Sequence, residues 1–218
     1  MKTPLDEFEQ NIQNIEKLSD IYNHLLSKVG LSNDDISDIL RMQYVNTVSA
    51  LDRFFHEIVK CELLNIFIYK TAPTPKANTF LFKIEFLLKI LSPNYSENEK
   101  IGMFESEIQK TMGQYSFQNE KSIKDALSYL WNEDQKFQII AKRMVNFSKE
   151  HGNNQDIGKI LGQRLTLISQ RRNQIVHEAD IEFETKKRRN INPQDVINDC
   201  ALISEFVHAV WDIIDKKN

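Results

Sequence analysis

The sequence predicts an all-helical protein without a β-sheet. Each long apolar run in the 218 residues repeats with the period of a helix, and no two β-branched runs are joined by a turn. Hydrophobic residues make up 41% of the chain and charged residues 27%, which is typical of a globular protein. We expect one helical domain over residues 1–218, in which residues 1–30 are a potential N-terminal arm.

The first two helices are predicted from their apolar seams and end signals. A near-heptad rhythm predicts a helix over about 5–29, and Gly30 then ends it. This narrow seam can pack on its own bundle or embrace a second subunit. A second helix begins at a capping box of Ser32 and Asp35 and is predicted to reach about residue 69, with a potential break near Arg41.

The middle of the chain carries the same kinds of signal. Pro73 and Pro75 break the second helix, because a proline disfavours helix at the residue before it. Further apolar periods predict helices over about 80–91, 122–131 and 134–148, and a capping box of Ser96 and Glu99 predicts another over 96–112. The 80–91 helix is apolar nearly all round, which indicates either burial or a dimer surface.

The helix that carries the candidate site is predicted over 156–178, with Asn154 as its N-cap. Gly158 and Gly162 on this helix would permit close approach of a neighbouring helix. A last helix is predicted over 193–215, because Asn192 is a good N-cap and Pro193 suits the first helical position. Five apolar residues of the 156–178 helix fall within about 80° of arc and form one stripe: Ile157, Leu161, Leu165, Ile168 and Ile175.

Arg172 falls inside this apolar stripe. Because a guanidinium cannot be deprotonated, a buried Arg172 needs a carboxylate, a phosphate or a water-lined cleft. Asp52, on the second predicted helix, is the expected carboxylate. Asn173 and His177 share one helical face, whereas His177 lies about 140° from Arg172 on a regular helix. Either the end of the helix distorts, or a second copy of the helix completes the site.

An arginine, a histidine and an amide in this pattern suit metal-free cleavage of RNA. A histidine can take a proton from a ribose 2′-hydroxyl near neutral pH, or give one to the leaving oxygen. An arginine offers a planar pair of donors to a phosphate that gains charge in the transition state. The spacing alone is a weak signal, since chance gives about 0.2 arginine-X4-histidine matches in a chain of this composition.

Two stretches resemble the HEPN domain family. Arg172-Asn173, three further residues and His177, late in a helical chain, resemble the Arg-polar-X(3–5)-His signature of that family. Residues 45–59, with a small-Leu-Asp-X-aromatic pattern, are similar to the early long helix of the RiboL-PSP-type branch. The resemblance covers roughly residues 35–215. His177 is followed by Glu-Ala rather than X-Tyr, which argues against the toxins that pair with nucleotidyltransferase antitoxins.

This resemblance implies a fold, an assembly and an activity. The fold would be an up-down helical bundle, and the assembly a homodimer with the two signature helices side by side. The activity would be the metal-independent cleavage of RNA found in toxins and antiphage defence effectors. Carried over by position, Arg172 and His177 would be the catalytic pair, and Asn173 the polar residue that orients them.

The net charge of the chain and its lack of known binding motifs limit the classes of ligand that we expect. A net charge of −3 does not by itself predict nucleic-acid binding. We nevertheless expect RNA contacts from the basic cluster near the site, although its last four members can equally be a solvated loop. No zinc spacing, paired magnesium carboxylates or P-loop is present in the sequence, so we expect no metal or cofactor. The cluster consists of Arg164, Arg171, Arg172, Lys186, Lys187, Arg188 and Arg189. The expected RNA contacts among them are Arg171, Lys186, Lys187, Arg188 and Arg189.

The cellular setting follows from what the sequence lacks. No apolar run is long enough for a membrane span, and the acidic N-terminus has no secretory apolar core, so we expect a cytoplasmic protein without a membrane partner. Cys61 and Cys200 are expected to be buried free thiols.

The functional expectation is a metal-independent endoribonuclease that leaves a 2′,3′-cyclic phosphate. Its composite active site would lie at a homodimer interface, and its partners would be RNA, a second copy and a potential antitoxin or defence-complex protein. The alternative is a HEPN-fold module that binds RNA or protein without cleaving. A third reading is a helical scaffold in which Arg172 and His177 are structural.

Overall fold

A computed structural model describes residues 2–152 and 155–216. Over these residues the chain forms α-helices and no strand, so the all-helical prediction is confirmed. The expected N-cap Asn154 lies outside the described residues. The helices are α1 (Pro4–His24), α2 (Asn33–Phe67), α3 (Ile84–Ile90), α4 (Glu97–Met112), α5 (Glu120–Leu130), α6 (Lys136–Arg143), α7 (Val145–His151), α8 (Ile157–His177) and α9 (Pro193–Asp215).

Helix α2 is the central element of the bundle. It begins at the predicted capping box, in which Ser32 accepts from the Asp35 N–H and Asp35 accepts from the Ser32 N–H. It is one unbroken helix of 35 residues, so the break considered near Arg41 is wrong. No proline or glycine interrupts it, and the Arg41 side chain finds acceptors without disturbing the backbone. It contacts α1, α4, α5, α8 and α9.

Helix α1 packs on its own chain. Phe8 is buried, and its ring meets that of Phe54 in α2 edge-on, with the centroids 6.0 Å apart. After α1 the chain makes one π-helical turn, Leu25–Val29, and Gly30 follows in the left-handed conformation expected of a helix end. The helical stretch therefore ends where the sequence predicts, although its last turn is wider than an α-helix.

The helix predicted over 80–91 is shorter in the structure, where α3 begins only at Ile84. Phe80 and Phe82 alternate in an extended segment, and the ring of Phe82 packs on that of Phe104 in α4 at 5.1 Å. This aromatic packing outweighs local helical preference. The outward side, which includes Leu81 at 84% exposure, is open to solvent in the single chain.

The helix predicted over 134–148 is two helices, α6 and α7, separated at Met144. The Met144 backbone is extended, with ψ 107°. The break is stabilised from outside, because the Glu205 carboxylate on α9 accepts from the N–H groups of Asn146 at 2.6 Å and Phe147 at 3.4 Å. These donors at the start of α7 have no partner within their own helix.

Helix α8 packs closely on its neighbours, as its glycines predict. A Cβ atom at Gly158 would lie 2.6 Å from the backbone nitrogen of Gln138 in α6. At Gly162 it would lie 2.4 Å from the Glu120 carboxylate carbon in α5. These approaches anchor the N-terminal half of α8 in the bundle and leave its C-terminal end at the edge.

The structure also bears on the predictions for the two cysteines and for a membrane span. Cys61 and Cys200 are free, as predicted, but both are half-buried rather than fully buried. Burial raises the pKa of Cys200 to about 11, so its thiol stays protonated and unreactive near neutral pH. Within residues 2–152 and 155–216, no helix has the length and apolar character needed to cross a bilayer.

Candidate active site at the end of helix α8

The apolar stripe of α8 runs past the edge of the bundle. Its buried members end at Ser169, and every residue from there to His177 is partly or fully exposed. Ile175 is half-buried, and Val176 is 44% exposed. The apolar period of α8 continues to the end of the helix and so predicts a buried Arg172. In the structure, however, the last buried residue of α8 is Ser169, three residues before Arg172. Arg172 is therefore half-buried at an edge.

Arg172 has no carboxylate partner among the described residues. Its Nη1 donates to the Asn173 side-chain oxygen at 3.1 Å, and its Nε is shielded from solvent without an acceptor. The expected partner Asp52 is engaged elsewhere, since its carboxylate accepts from the Phe117 backbone N–H and lies 3.5 Å from the Gln118 side-chain nitrogen. A guanidinium with a shielded, unpaired donor is suited to an anionic ligand.

Asn173 and His177 are both exposed. Within the described part of the chain, no group hydrogen-bonds to the His177 imidazole, while Asn173 orients Arg172 rather than His177. Helix α8 stays regular through His177, so the distorted helix end is not observed. Arg172 and His177 thus project about 140° apart and do not converge within one chain.

A buried ion cluster lies directly behind this helix end, and the sequence reasoning missed it. The Asp180 carboxylate is fully buried and accepts from Arg41 Nε at 2.6 Å, and from both terminal nitrogens of Arg171, one of them at 3.0 Å. The buried arginine of this protein is therefore Arg41, which is 5% exposed, and not Arg172. Arg41 shares a helical face of α2 with the apolar Val48, seven residues later, just as Arg172 lies on the apolar stripe of α8.

This cluster holds the backbone immediately after His177. Ala179 and Asp180 both have left-handed conformations, with φ 52° and 58°, which cost about 1–2 kcal/mol each for non-glycine residues. The N–H groups of Glu178 and Asp180 both donate to the Gln174 carbonyl, at 3.1 and 3.0 Å. The ion pairs of Asp180 offset this strain, so the chain leaves α8 along one fixed path.

The five basic residues expected to contact RNA divide into two groups. Arg171 pairs with Asp180, and Arg188 pairs with Asp38. Arg189 donates to the Ile181 carbonyl at 2.8 Å and pairs with Glu178 at 2.9 Å. The side chains of these three arginines are engaged within the chain, so we do not propose them as RNA contacts. The remaining two, Lys186 and Lys187, are exposed and have no carboxylate partner among the described residues.

A polar cavity of about 420 Å³ lies between α8 and the start of α9, on the other flank of α8 from His177. Arg164 and Tyr44 both hydrogen-bond to Asp199 in its wall, each at 2.9 Å. Burial raises the pKa of Asp199 and of Tyr44. Arg171 also lines the cavity, but Arg172, Asn173 and His177 do not. Tyr44, Arg164 and Asp199 bond to one another, and none of the three signature residues lines the cavity, so we place the candidate chemistry at the exposed end of α8.

The family comparison agrees with this geometry. The model of the RiboL-PSP-HEPN family matches residues 7–216, which includes most of α1 and all of α2 to α9. Comparison with curated proteins and with solved structures finds no match. Since the match spans nearly the whole chain, and the signature residues stand at the exposed end of α8, the chain belongs to the RiboL-PSP-HEPN family.

Proposed function

We propose that this protein is a metal-independent endoribonuclease that acts in the cytoplasm as a toxin or antiphage defence effector. The observation that carries the proposal is the state of Arg172. Its guanidinium stands at the bundle edge without a carboxylate partner among the described residues, five residues before an exposed His177, in a chain of the HEPN type. A structural arginine at such a position would be expected to have an acidic partner.

The proposed reaction divides the work between these residues. His177 accepts the proton of a ribose 2′-hydroxyl, and the 2′ oxygen attacks the adjacent phosphorus. The bond to the 5′ oxygen breaks, that oxygen takes a proton from water, and the hydroxide left behind takes the proton from His177, which restores the base. Arg172 stabilises the charge that develops on the phosphate oxygens, and Asn173 holds the guanidinium in place. The products are a 2′,3′-cyclic phosphate and a 5′-hydroxyl end.

The proposal includes a homodimer, because a regular α8 cannot bring Arg172 and His177 to one phosphate. A two-fold pairing of the α8 ends would place Arg172 of one copy beside His177 of the other. It would also cover the half-buried Ile175 and the exposed Val176 at this helix end.

One observation favours the alternative, a HEPN-fold module that binds RNA or protein without cleaving. The exposed imidazole of His177 has no partner, among the residues described, that would fix its tautomer and orientation. A catalytic base usually has such a partner, so under the first proposal the second copy or the RNA must supply it.

A cleavage assay in EDTA separates these functions. We expect the purified protein to cut a labelled single-stranded RNA at the same rate with and without EDTA, and to leave 2′,3′-cyclic phosphate ends, because no step uses a metal. Treatment of the 3′ ends with acid and phosphatase identifies the cyclic phosphate. Cleavage that stops in EDTA would contradict the mechanism, and absence of cleavage on all RNAs tried would favour the binding module.

A further inference from the structure

The segment that follows α8 forms a compact turn with an exposed aromatic ring. We call residues 181–189 the basic hairpin. Ile181 and Arg188 form an antiparallel bridge, and the Glu182 N–H donates to the Lys187 carbonyl at 2.8 Å. At its tip Phe183 is 82% exposed, and the Lys186 ammonium lies 4.0 Å from the centre of its ring.

The basic hairpin is attached rigidly to the bundle. Arg41 donates to the Arg189 carbonyl at 2.7 Å, and the Arg189 N–H donates to the Asp180 carbonyl at 2.8 Å. Arg188 pairs with Asp38 on α2. Because Arg41 is itself fixed by the buried Asp180, the position of Phe183 is set by the core of the protein.

The exposed Phe183 ring and the two neighbouring lysines, which have no carboxylate partner among the described residues, together suit one class of ligand. Burying a phenylalanine side chain is worth about 1.5–3 kcal/mol, so Phe183 forgoes this gain in the free protein. Lys186 lies against the ring, and Lys187 has no side-chain partner in the described chain, while Glu184 and Glu182 reduce the local positive charge. A flat apolar ring with adjacent cations fits an unpaired nucleobase with its phosphates.

We propose that the basic hairpin binds an unpaired nucleotide of the RNA substrate. Phe183 stacks on the base, and Lys186 and Lys187 contact the phosphates on either side. The hairpin begins at Ile181, four residues after His177, so the proposal places the stacked nucleotide next to the nucleotides that are cut. The inference rests on the proposed function and narrows its substrate to RNA with a single-stranded segment, because bases within a duplex cannot present a face to the ring.

The test measures binding without cleavage. The full-length His177→Ala protein is titrated into labelled single-stranded RNA and into the matched duplex, and fluorescence anisotropy gives the affinities. We expect Phe183→Ala to weaken single-strand binding about 5- to 150-fold and Phe183→Trp to retain it. Tyr69→Ala removes an aromatic ring that is 96% exposed just after α2; it is the matched control and should change nothing.

Two further readouts identify the contacts. A 2-aminopurine placed in the single strand should lose fluorescence on binding, and Phe183→Ala should restore that fluorescence, because stacking causes the quenching. Lys187→Gln should weaken binding to all single-stranded sequences alike and reduce the slope of log affinity against log salt by about 0.7.

The outcomes separate this inference from the proposed function. The hairpin inference would be overturned if Phe183→Ala left the affinity of the His177→Ala protein for single-stranded RNA unchanged. It would also be overturned if that protein bound single-stranded RNA and duplex equally well. If binding depends on Phe183 but the parent protein never cuts, the hairpin inference stands and the ribonuclease proposal fails. If the parent cuts and Phe183→Ala changes neither affinity nor KM, the hairpin inference fails alone.

Discussion

His177→Ala is expected to reduce RNA cleavage by about a hundred- to ten-thousand-fold, because general acid–base catalysis contributes that much. Arg172→Ala is expected to cost about a hundred- to a thousand-fold, since it removes the group that stabilises the phosphate charge. Arg172→Lys should fail too, because a point charge cannot reproduce the planar pair of donors. Asn173→Ala should lose less, since Asn173 acts only through its 3.1 Å contact with Arg172.

Matched surface variants control these measurements. His24→Ala and Arg143→Ala remove an exposed histidine and an exposed arginine from helix ends away from the site, and both should cleave at the parent rate. Circular dichroism and size-exclusion chromatography of each variant should match the parent. If Arg172→Ala unfolds the protein, Arg172 is structural; if the His177 and Arg172 variants both cut at the parent rate, the site is misassigned.

Asp180→Asn is expected to destabilise the fold by about 3–5 kcal/mol, because it removes the charge that compensates the buried Arg41. Asp38→Asn is the control, since Asp38 lies 3.7 Å from the same Arg41 but its side chain is 64% exposed. An exposed pair is worth less than about 1 kcal/mol. Urea denaturation gives both free energies of unfolding. Equal, small losses for the two variants would show that the buried cluster contributes no special stability.

Most helices could be predicted because their signals are local. The capping boxes at Ser32 and Ser96, and the Asn192-Pro193 start of α9, all form as the sequence indicates. The break at Met144 and the late start of α3 could not be predicted. They depend on Glu205 and on Phe104, which reach the segment from other parts of the chain.

The candidate site was predictable in part for the same reason. The spacing of Arg172 and His177 is local, and the structure keeps both at the end of α8. The number of turns of α8 that the other helices cover depends on tertiary packing. The helical period of the sequence therefore could not predict that Arg172 is partly exposed. The Arg41–Asp180 pair joins residues 139 positions apart, and no local pattern marks it. The exposure of Phe183 depends on that same cluster.

The central claim is that one active site takes Arg172 from one copy and His177 from the other. The direct measurement uses Arg172→Ala and His177→Ala chains, co-expressed with different tags and purified as the mixed dimer. Each homodimer should be inactive, whereas the mixed dimer keeps one intact pair and should cut RNA about a hundred-fold faster than either. A mixed dimer as inactive as the homodimers, beside an active parent, would contradict the account, as would a parent that is monomeric at micromolar concentration and active.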